Sequence, residues 1–352
     1  MRAAEAELAE IGHAIGMLGR GWLQVISDFD DPAEESAVLR RIAEAARRPM
    51  TFSLLQREKV PWLWRFLLDR LEEANAAGTP ISGQVMGRPI GLMLGFELSQ
   101  NPFSSRPSWR EAAALPFPRR LALLRDPGFR ARLLVEPNAD PAAAYRLNTW
   151  HMMFPLDDPP DYEPPPERSL AAMAAREGRN VEEIAYDLML ARDGRGIINR
   201  PIINYADGDL EAVREMVGHP HTLIGLGDGG AHVGLICDAS ATTSMLTHWT
   251  RDRRRGERLP LGFVLRRLSR DNALALGLKD RGAIAPGLRA DLNLLDYNRF
   301  NVRLPELVYD LPTGGKRLLQ RADGYVATLL AGQVTYCEGE PTAALSGRRT
   351  RG

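Results

Sequence analysis

The sequence predicts an α/β protein with a parallel sheet, on the strength of three observations. Short apolar runs alternate with longer segments in which apolar residues recur at helical spacing. Several runs end in polar residues, as buried strands do when they reach a functional edge. The alternation is typical of βαβ units, whose right-handed crossovers leave the helices outside the sheet. Strands are predicted at 22–28, 50–56, 80–86, 197–205 and 221–227, and helices at 1–20, 30–48, 62–77, 181–192, 209–217 and 260–276.

Composition narrows the partners and the compartment. The 352 residues include 45 basic and 45 acidic side chains, a formal net charge of +0, so we expect neither a nucleic-acid nor a membrane partner. No apolar run approaches the length of a membrane span. Cys237 and Cys337 are too few for a disulfide framework, and no hydrophobic signal core precedes the first predicted helix. We therefore expect a cytoplasmic location.

The chain is predicted to have two parts. Residues 1–276 form the α/β part, with an insertion at about 101–166 that holds 13 of the 25 prolines. Such proline density predicts neither regular helices nor central strands. The insertion is interpreted as an active-site lid or subunit contact, or alternatively as a plain surface insertion. Residues 277–352 contain short β-type runs separated by turn sequences, which predict a C-terminal β-extension.

The sharpest local signal is Gly-Leu-Gly-Asp-Gly-Gly-Ala-His at 225–232. An apolar strand ends at Asp228, and the flanking glycines allow the backbone to turn sharply and approach a ligand. At the C-terminal edge of a parallel sheet, such a carboxylate would face a ligand site and could hold a proton or a metal. The alternative is that Asp228 caps a turn and His232 makes an ordinary hydrogen bond.

Five other polar residues lie at or near the ends of predicted strands: Asp28, Gln56, Gln84, Arg88 and Asn204. The two glutamines suit substrate orientation and are poor metal ligands. Arg88 could hold a carboxylate through two hydrogen bonds, or it could form a structural ion pair beneath the loop. His248, at helical spacing after Ser244, is interpreted as a residue on a helix face.

Several catalytic signatures are missing from the sequence. There is no His-x-His at a strand end and no His-Glu-x-x-His, so a self-sufficient zinc site is not encoded. There is likewise no Gly-x-Ser-x-Gly elbow, no phosphate-binding Walker loop and no dinucleotide-binding fingerprint.

Three stretches resemble the C-terminal part of the amidohydrolase superfamily, in particular its N-acyl-D-amino-acid deacylase (D-aminoacylase-like) branch. Residues 225–234 are similar to the strand-eight signature of that branch, 282–292 to the turn that leads into its small β-sandwich, and 331–352 to its terminus. The resemblance implies an incomplete (β/α)8 barrel of the TIM type that keeps strands four to eight, with a small C-terminal extension of the β-sandwich type.

The resemblance also implies a function. It is a metal-dependent hydrolysis of non-peptide C–N bonds in an N-acyl amino acid, with zinc as cofactor. Asp228 would be the general acid/base and a metal ligand, and His232 would orient it or contact the substrate carbonyl. Arg88 or Asn204 would hold the substrate carboxylate. The strands that resemble five and six carry Gln56 and Gln84 where histidine ligands are expected.

Alternatives to this function remain open. The chain could be a catalytically inactive fragment or a partner subunit that lacks the N-terminal metal-binding strands, or those strands could lie upstream in the gene. Because an open half-barrel exposes strand edges, we expect a homo-oligomer or a complementing partner chain.

Overall fold

The computed structural model describes residues 5–140, 142, 147–227 and 232–347. Its central element is a four-stranded parallel sheet in the order β1-β2-β3-β7, in which β3 pairs directly with β7. The first elements of the chain are α1 (Glu5–Met17), β1 (Leu23–Val25), α2 (Pro32–Ala46), β2 (Met50–Ser53), α3 (Leu63–Ala76), β3 (Ile81–Val85) and β4 (Ile90–Leu94).

The two faces of β2 and β3 differ in polarity, because successive side chains of a strand point to opposite faces. Met50 and Phe52 on β2 are buried in the main apolar core with Leu67 and Leu71 of α3. A side chain at Gly83 would meet Leu54 at 2.9 Å and Leu71 at 3.2 Å, so glycine allows α3 to approach the sheet. The residues that alternate with these along β2 and β3 are polar: Thr51, Ser53, Ser82 and Gln84. The face of the sheet away from α3 is therefore the polar one.

The insertion folds into regular helices, and its prolines begin them rather than break them. Pro107, Pro118 and Pro127 lie in the first turns of three helices, where no intrahelical N–H is needed. The expectation of no regular helix at 101–166 is therefore wrong. From the start of the insertion to residue 194, the elements are α4 (Pro107–Ala113), α5 (Phe117–Leu124), α6 (Pro127–Val135), β5 (Phe154–Pro155), α7 (Leu170–Glu177) and α8 (Val181–Gly194).

The strand predicted at 197–205 forms as β6 (Ile198–Ile203), but it does not join the parallel sheet. It pairs antiparallel with β4 and β5 in a separate sheet of order β4-β6-β5. The expectation of five parallel strands is thus wrong for the described residues, in which the parallel sheet has four. An apolar run predicts a buried strand but not its direction, and 90–94 was not predicted as a strand at all.

The chain then returns to the parallel sheet and ends in β-structure. The elements are α9 (Glu211–Gly218), β7 (Thr222–Ile224), α10 (Ala241–Thr247), α11 (Leu261–Arg266), α12 (Asn272–Ala275), β8 (Leu292–Leu295), β9 (Asn301–Val302), β10 (Glu306–Val308), β11 (Arg317–Leu319), β12 (Ala322–Asp323), β13 (Tyr325–Leu330), β14 (Gln333–Cys337) and β15 (Glu340–Pro341).

The C-terminal strands form a four-stranded antiparallel sheet, β15-β14-β13-β8, and two two-stranded pairs, β10-β11 and β12-β9. Leu318 of β11 packs with Met93, Tyr162 and Cys237 in a small buried cluster. The C-terminal strands therefore contact β4, the insertion and the loop after β7. The division of the chain at residues 276 and 277 stays a prediction.

None of the helices in the described residues is long and apolar enough to cross a bilayer.

Candidate functional site at the C-terminal edge of the parallel sheet

Hydrogen bonds hold the carboxyl ends of three parallel strands side by side. The N–H of Leu54 donates to the carbonyl of Gln84 at 2.9 Å, and the N–H of Gly225 donates to the carbonyl of Val85 at 3.0 Å. Residues 54–56, 86–88 and 225–227 therefore leave the sheet at one edge. In open and closed α/β sheets alike, this is the edge at which ligands bind.

Gln56 and Asn204 lie together at this edge, although 147 residues separate them in sequence. The Oδ1 of Asn204 accepts from the N–H of Gln56 at 2.9 Å, and the N–H of Asn204 donates to the carbonyl of Gln56 at 2.9 Å. The Nδ2 of Asn204 donates to the carbonyl of Met86 at 3.2 Å. Asn204 thus ties the strand ends of β2 and β3 to the end of β6.

The side chain of Gln56 is also bonded to protein. Its Nε2 donates to the Oδ2 of Asp207 at 2.6 Å, and its Oε1 accepts from the N–H of Ala206 at 3.0 Å. Gln84, on the polar face of the sheet, donates from Nε2 to the hydroxyl of Thr51 at 2.8 Å. The substrate roles of Gln56, Gln84 and Asn204 stay predictions.

Arg88 is buried, with 2 % of its surface exposed, and contacts groups from four parts of the chain. It donates to the carbonyl of Cys237, to the Oγ of Ser244 at 3.3 Å and to the Oε1 of Gln320 at 3.4 Å. Its Nη2 lies 3.6 Å from the Oδ1 of Asp238, and its guanidinium carbon lies 4.1 Å from the centroid of the Tyr162 ring. The ion pair that the sequence left open for Arg88 is therefore present.

Asp228 lies outside the described residues. Its role as general acid/base and metal ligand therefore stays a prediction. Its flanks are described. Leu226 and His232 have positive φ angles of 65° and 50°, a conformation that non-glycine residues seldom adopt. The side chain of His232 is exposed, and its carbonyl accepts from the N–H groups of Leu235 and Ile236 at 2.7 and 2.9 Å.

A cavity of about 980 Å³ opens beside Arg88, and its wall includes Tyr162, Glu163, Ser244, His248 and Arg255. We call it the Arg88 cavity. Its walls come from the strand end after β3, from the insertion, from α10 and the segment that follows it, and from residues 298–302 at β9. Leu210, just before α9, also lines it.

Glu163 is the most heavily bonded carboxylate at this cavity, and the sequence did not single it out. It is 3 % exposed, and it accepts from the Nε2 of His248 at 2.9 Å, from the N–H of Leu210 at 3.1 Å, and from the Nε and Nη2 of Arg253 at 3.0 and 2.9 Å. His248, predicted on a helix face, lies in the helical turn that continues α10 and is this carboxylate's partner. Glu163 lies in a proline-rich tract, so no helical or strand periodicity could have marked it.

Burial and charge act in opposite directions on Glu163. Burial alone raises the pKa of this carboxyl, but hydrogen bonds from His248 and Arg253 and their charges outweigh burial and lower the pKa from 4.5 to about 2. Burial also raises the pKa of Tyr162, which keeps its hydroxyl protonated. That hydroxyl and the Nε2 of Gln320 lie 2.8 Å apart.

The donor set at this edge does not fit a metal ion in the described residues. None of their His, Cys, Asp and Glu side chains come together in a group of three or more that could hold one. The strand ends present the amides of Gln56 and Gln84 and the cation of Arg88 instead. Amides are weak ligands and a guanidinium is not a ligand, so Asp228 would need donors from outside the described residues.

The parallel sheet, the outer helices and the polar strand-end edge define an α/β protein with a TIM-like fold, and the predicted incomplete barrel stays a prediction. The chain belongs to the amidohydrolase family, whose family model matches residues 1–336. The predicted membership of the amidohydrolase superfamily is thereby confirmed.

Solved structures agree with this assignment at the level of fold. One structure of D-aminoacylase, described by the functional role of its binuclear metal centre, is 17 % identical with a TM-score of 0.53. Another, described as defining a novel subset of amidohydrolases, is 17 % identical with a TM-score of 0.51. In both cases the match covers 98 % of this chain and 59 % of the D-aminoacylase chain. The likeness agrees with the predicted D-aminoacylase-like branch and shows the fold alone.

A curated relative is similar over a shorter stretch. Imidazolonepropionase from Paracoccus denitrificans (strain Pd 1222) is 33 % identical over 132 residues, which is 36 % of this chain and 32 % of the relative. This chain therefore spans about a third of that enzyme and about three fifths of the D-aminoacylases it matches.

Proposed function

We propose that this chain forms the C-terminal part of an amidohydrolase active site that cleaves a non-peptide C–N bond, with an N-acyl amino acid as substrate. The observation that carries the proposal is the family match over residues 1–336, which includes the strand-end edge and the loop after β7. The fold likeness to D-aminoacylase supports the same reaction class.

In the proposed reaction, Asp228 moves the protons. Its carboxylate takes a proton from the attacking water while the water oxygen bonds to the acyl carbon. The proton then passes from Asp228 to the leaving nitrogen as the C–N bond breaks, so that the products are an amine and a carboxylic acid, which releases its remaining proton to solvent. His232, four residues later, is proposed to orient Asp228 or to contact the substrate carbonyl.

The family and the D-aminoacylase neighbours support a metal cofactor, and zinc stays a prediction. Because the described residues do not form a metal site by themselves, none of the proposed steps passes through a metal.

A second candidate is a catalytically inactive fragment or partner subunit, and two observations favour it. The first is the missing ligand group among the described residues. The second is β1, an edge strand of the described sheet, in which Gln24 is exposed and directly after which Ile26 is 76 % exposed. An unpaired strand edge is a template for another chain, so we propose a homo-oligomer or a complementing partner.

The two candidates differ in what the purified chain does with N-acetyl amino acids. Release of free amine from a panel of D and L substrates, measured together with bound metal by elemental analysis, would support the hydrolase. A folded, metal-free oligomer that releases no amine would support the partner subunit, and light scattering would give its size.

A further inference from the structure

The walls of the Arg88 cavity carry an excess of positive charge. Six of its lining residues are arginines, against three carboxylates. Three of the arginines are paired with nearby carboxylates: Arg168 with Asp157 and Asp161, Arg251 with Asp252, and Arg88 with Asp238. The carboxylate of Glu163 is already taken by Arg253.

Three arginines on this wall form no ion pair with a carboxylate of the described residues: Arg254, Arg255 and Arg258. Arg255 uses its Nη1 for the hydroxyl of Tyr205 and for backbone carbonyls, including that of Gly208 at 2.9 Å. Arg258 uses its Nε for the carbonyl of Arg253 at 3.0 Å. Arg254 is exposed. These bonds to neutral oxygens leave the positive charge of each guanidinium uncompensated.

The size of the cavity and the apolar part of its wall indicate an organic ligand. About 980 Å³ is far more than one small ion needs and lies within the range of organic ligand sites. Pro159, which is exposed, and Pro160 and Pro165, which are half-buried, give part of its wall an apolar character. A molecule with an anionic group and an apolar part would satisfy both kinds of surface.

We propose that the Arg88 cavity binds an organic anion, whose phosphate or carboxylate group contacts Arg254, Arg255 and Arg258 and whose apolar part packs against Pro159, Pro160 and Pro165. Guanidinium groups bind both oxyanions through paired hydrogen bonds, so the chemistry of the arginines is shared by the two. This proposal concerns binding only and does not depend on the proposed hydrolysis.

Isothermal titration calorimetry on the full chain, at constant ionic strength, tests the proposal. The probes are phenyl phosphate, benzoate and inorganic phosphate. We expect saturable binding of phenyl phosphate or benzoate, and the tighter of these two identifies the anionic group. Weaker binding of inorganic phosphate than of phenyl phosphate would support the apolar contact.

The variants locate the site. In the double variant Arg254→Gln/Arg258→Gln, we expect Kd to rise at least tenfold, while Arg110→Gln, an exposed arginine of α4, leaves Kd within twofold. If the double variant fails to fold by circular dichroism, Arg254→Gln alone is used, with a rise of at least threefold expected. Absence of saturable binding of all three probes, or equal Kd values in all folded variants, would overturn the proposal.

Discussion

The carboxylate of Glu163 binds the guanidinium of Arg253 through two hydrogen bonds, of 3.0 and 2.9 Å, with both side chains almost fully buried. The pair joins the insertion to the segment after α10, and the guanidinium carbon of Arg253 lies 4.6 Å from the centroid of the Trp249 ring. One wall of the Arg88 cavity therefore depends on a buried ion pair. Removing one partner of such a pair leaves the other charge buried and uncompensated.

Glu163→Gln tests this dependence. We expect the free energy of unfolding at pH 7 to fall by about 1.5–3 kcal/mol, because His248 loses its anionic partner and Arg253 keeps only Glu211, at 2.8 Å. Urea unfolding measures the change. Glu58→Gln, at an exposed position, is the matched control and should change stability by less than about 0.5 kcal/mol. Equal stability of the two variants would contradict the role given to Glu163.

The same carboxyl predicts a pH dependence. Its folded pKa of about 2 lies below the ordinary value of 4.5, so its contribution is fully present above pH 4.5. The contribution is lost as the pH falls from about 4.5 to about 2, and the shift corresponds to about 3 kcal/mol. Urea unfolding at a series of pH values should show a smaller loss over this window in Glu163→Gln than in the wild type. Parallel pH profiles would refute this explanation.

Asn204 is predicted to stabilise the strand-end edge in two separable ways. Its side chain accepts from Gln56, and its φ of 64° is one that asparagine and glycine tolerate better than alanine. We expect Asn204→Ala to cost about 2–4 kcal/mol and Asn204→Gly about 1 kcal/mol less, because glycine relieves only the backbone strain. Thermal and urea unfolding of both variants measure the difference. If Asn204→Ala were as stable as the wild type, the hydrogen bond between Asn204 and Gln56 would contribute nothing to stability.

Arg88→Lys is predicted to be a non-conservative change. Lysine cannot donate to the carbonyl of Cys237, the Oγ of Ser244 and the Oε1 of Gln320 at the same time. It also cannot stack on the Tyr162 ring as a planar guanidinium does. We expect a loss of about 2–3 kcal/mol in unfolding free energy, against almost none for Arg110→Lys on the surface. A neutral Arg88→Lys would show that the buried contacts are dispensable.

The two thiols should differ in reactivity. Cys237 is buried, and burial raises the pKa of its thiol to about 11, whereas Cys337 is exposed. A disulfide reagent should therefore modify one thiol rapidly at pH 8, and Cys337→Ser should abolish that fast phase. The second thiol should react only on unfolding. Two fast thiols in the native wild type would contradict the burial of Cys237.

The sequence predicted the parallel strands well because each is a short apolar run bounded by helical patterning. It could not predict the direction of Ile198–Ile203, since the same apolar run suits a buried strand of either orientation. The prolines of the insertion led to the wrong prediction that it has no regular helix. Proline breaks a helix when it lies in the interior but is favoured in the first turn, where these prolines lie.

At the site, strand ends marked Gln56, Gln84 and Arg88, and the structure brings them to one edge. Glu163, Arg253 and Gln320 were missed because they are distant in sequence and lie outside any motif. Only tertiary folding places Gln320, from the C-terminal strands, against Arg88 and Tyr162. The cytoplasmic location stays a prediction.

The most direct test of the central proposal is the rate of amine release by Asp228→Asn on the best N-acyl amino acid of the panel. Asp69→Asn, an exposed aspartate of α3, is the matched control. If Asp228 moves the protons of the reaction, its variant should lose about 10²–10⁴-fold in kcat, with unchanged folding and near-normal KM, and the control should keep full activity. Wild-type kcat in a folded Asp228→Asn variant would contradict the proposed mechanism.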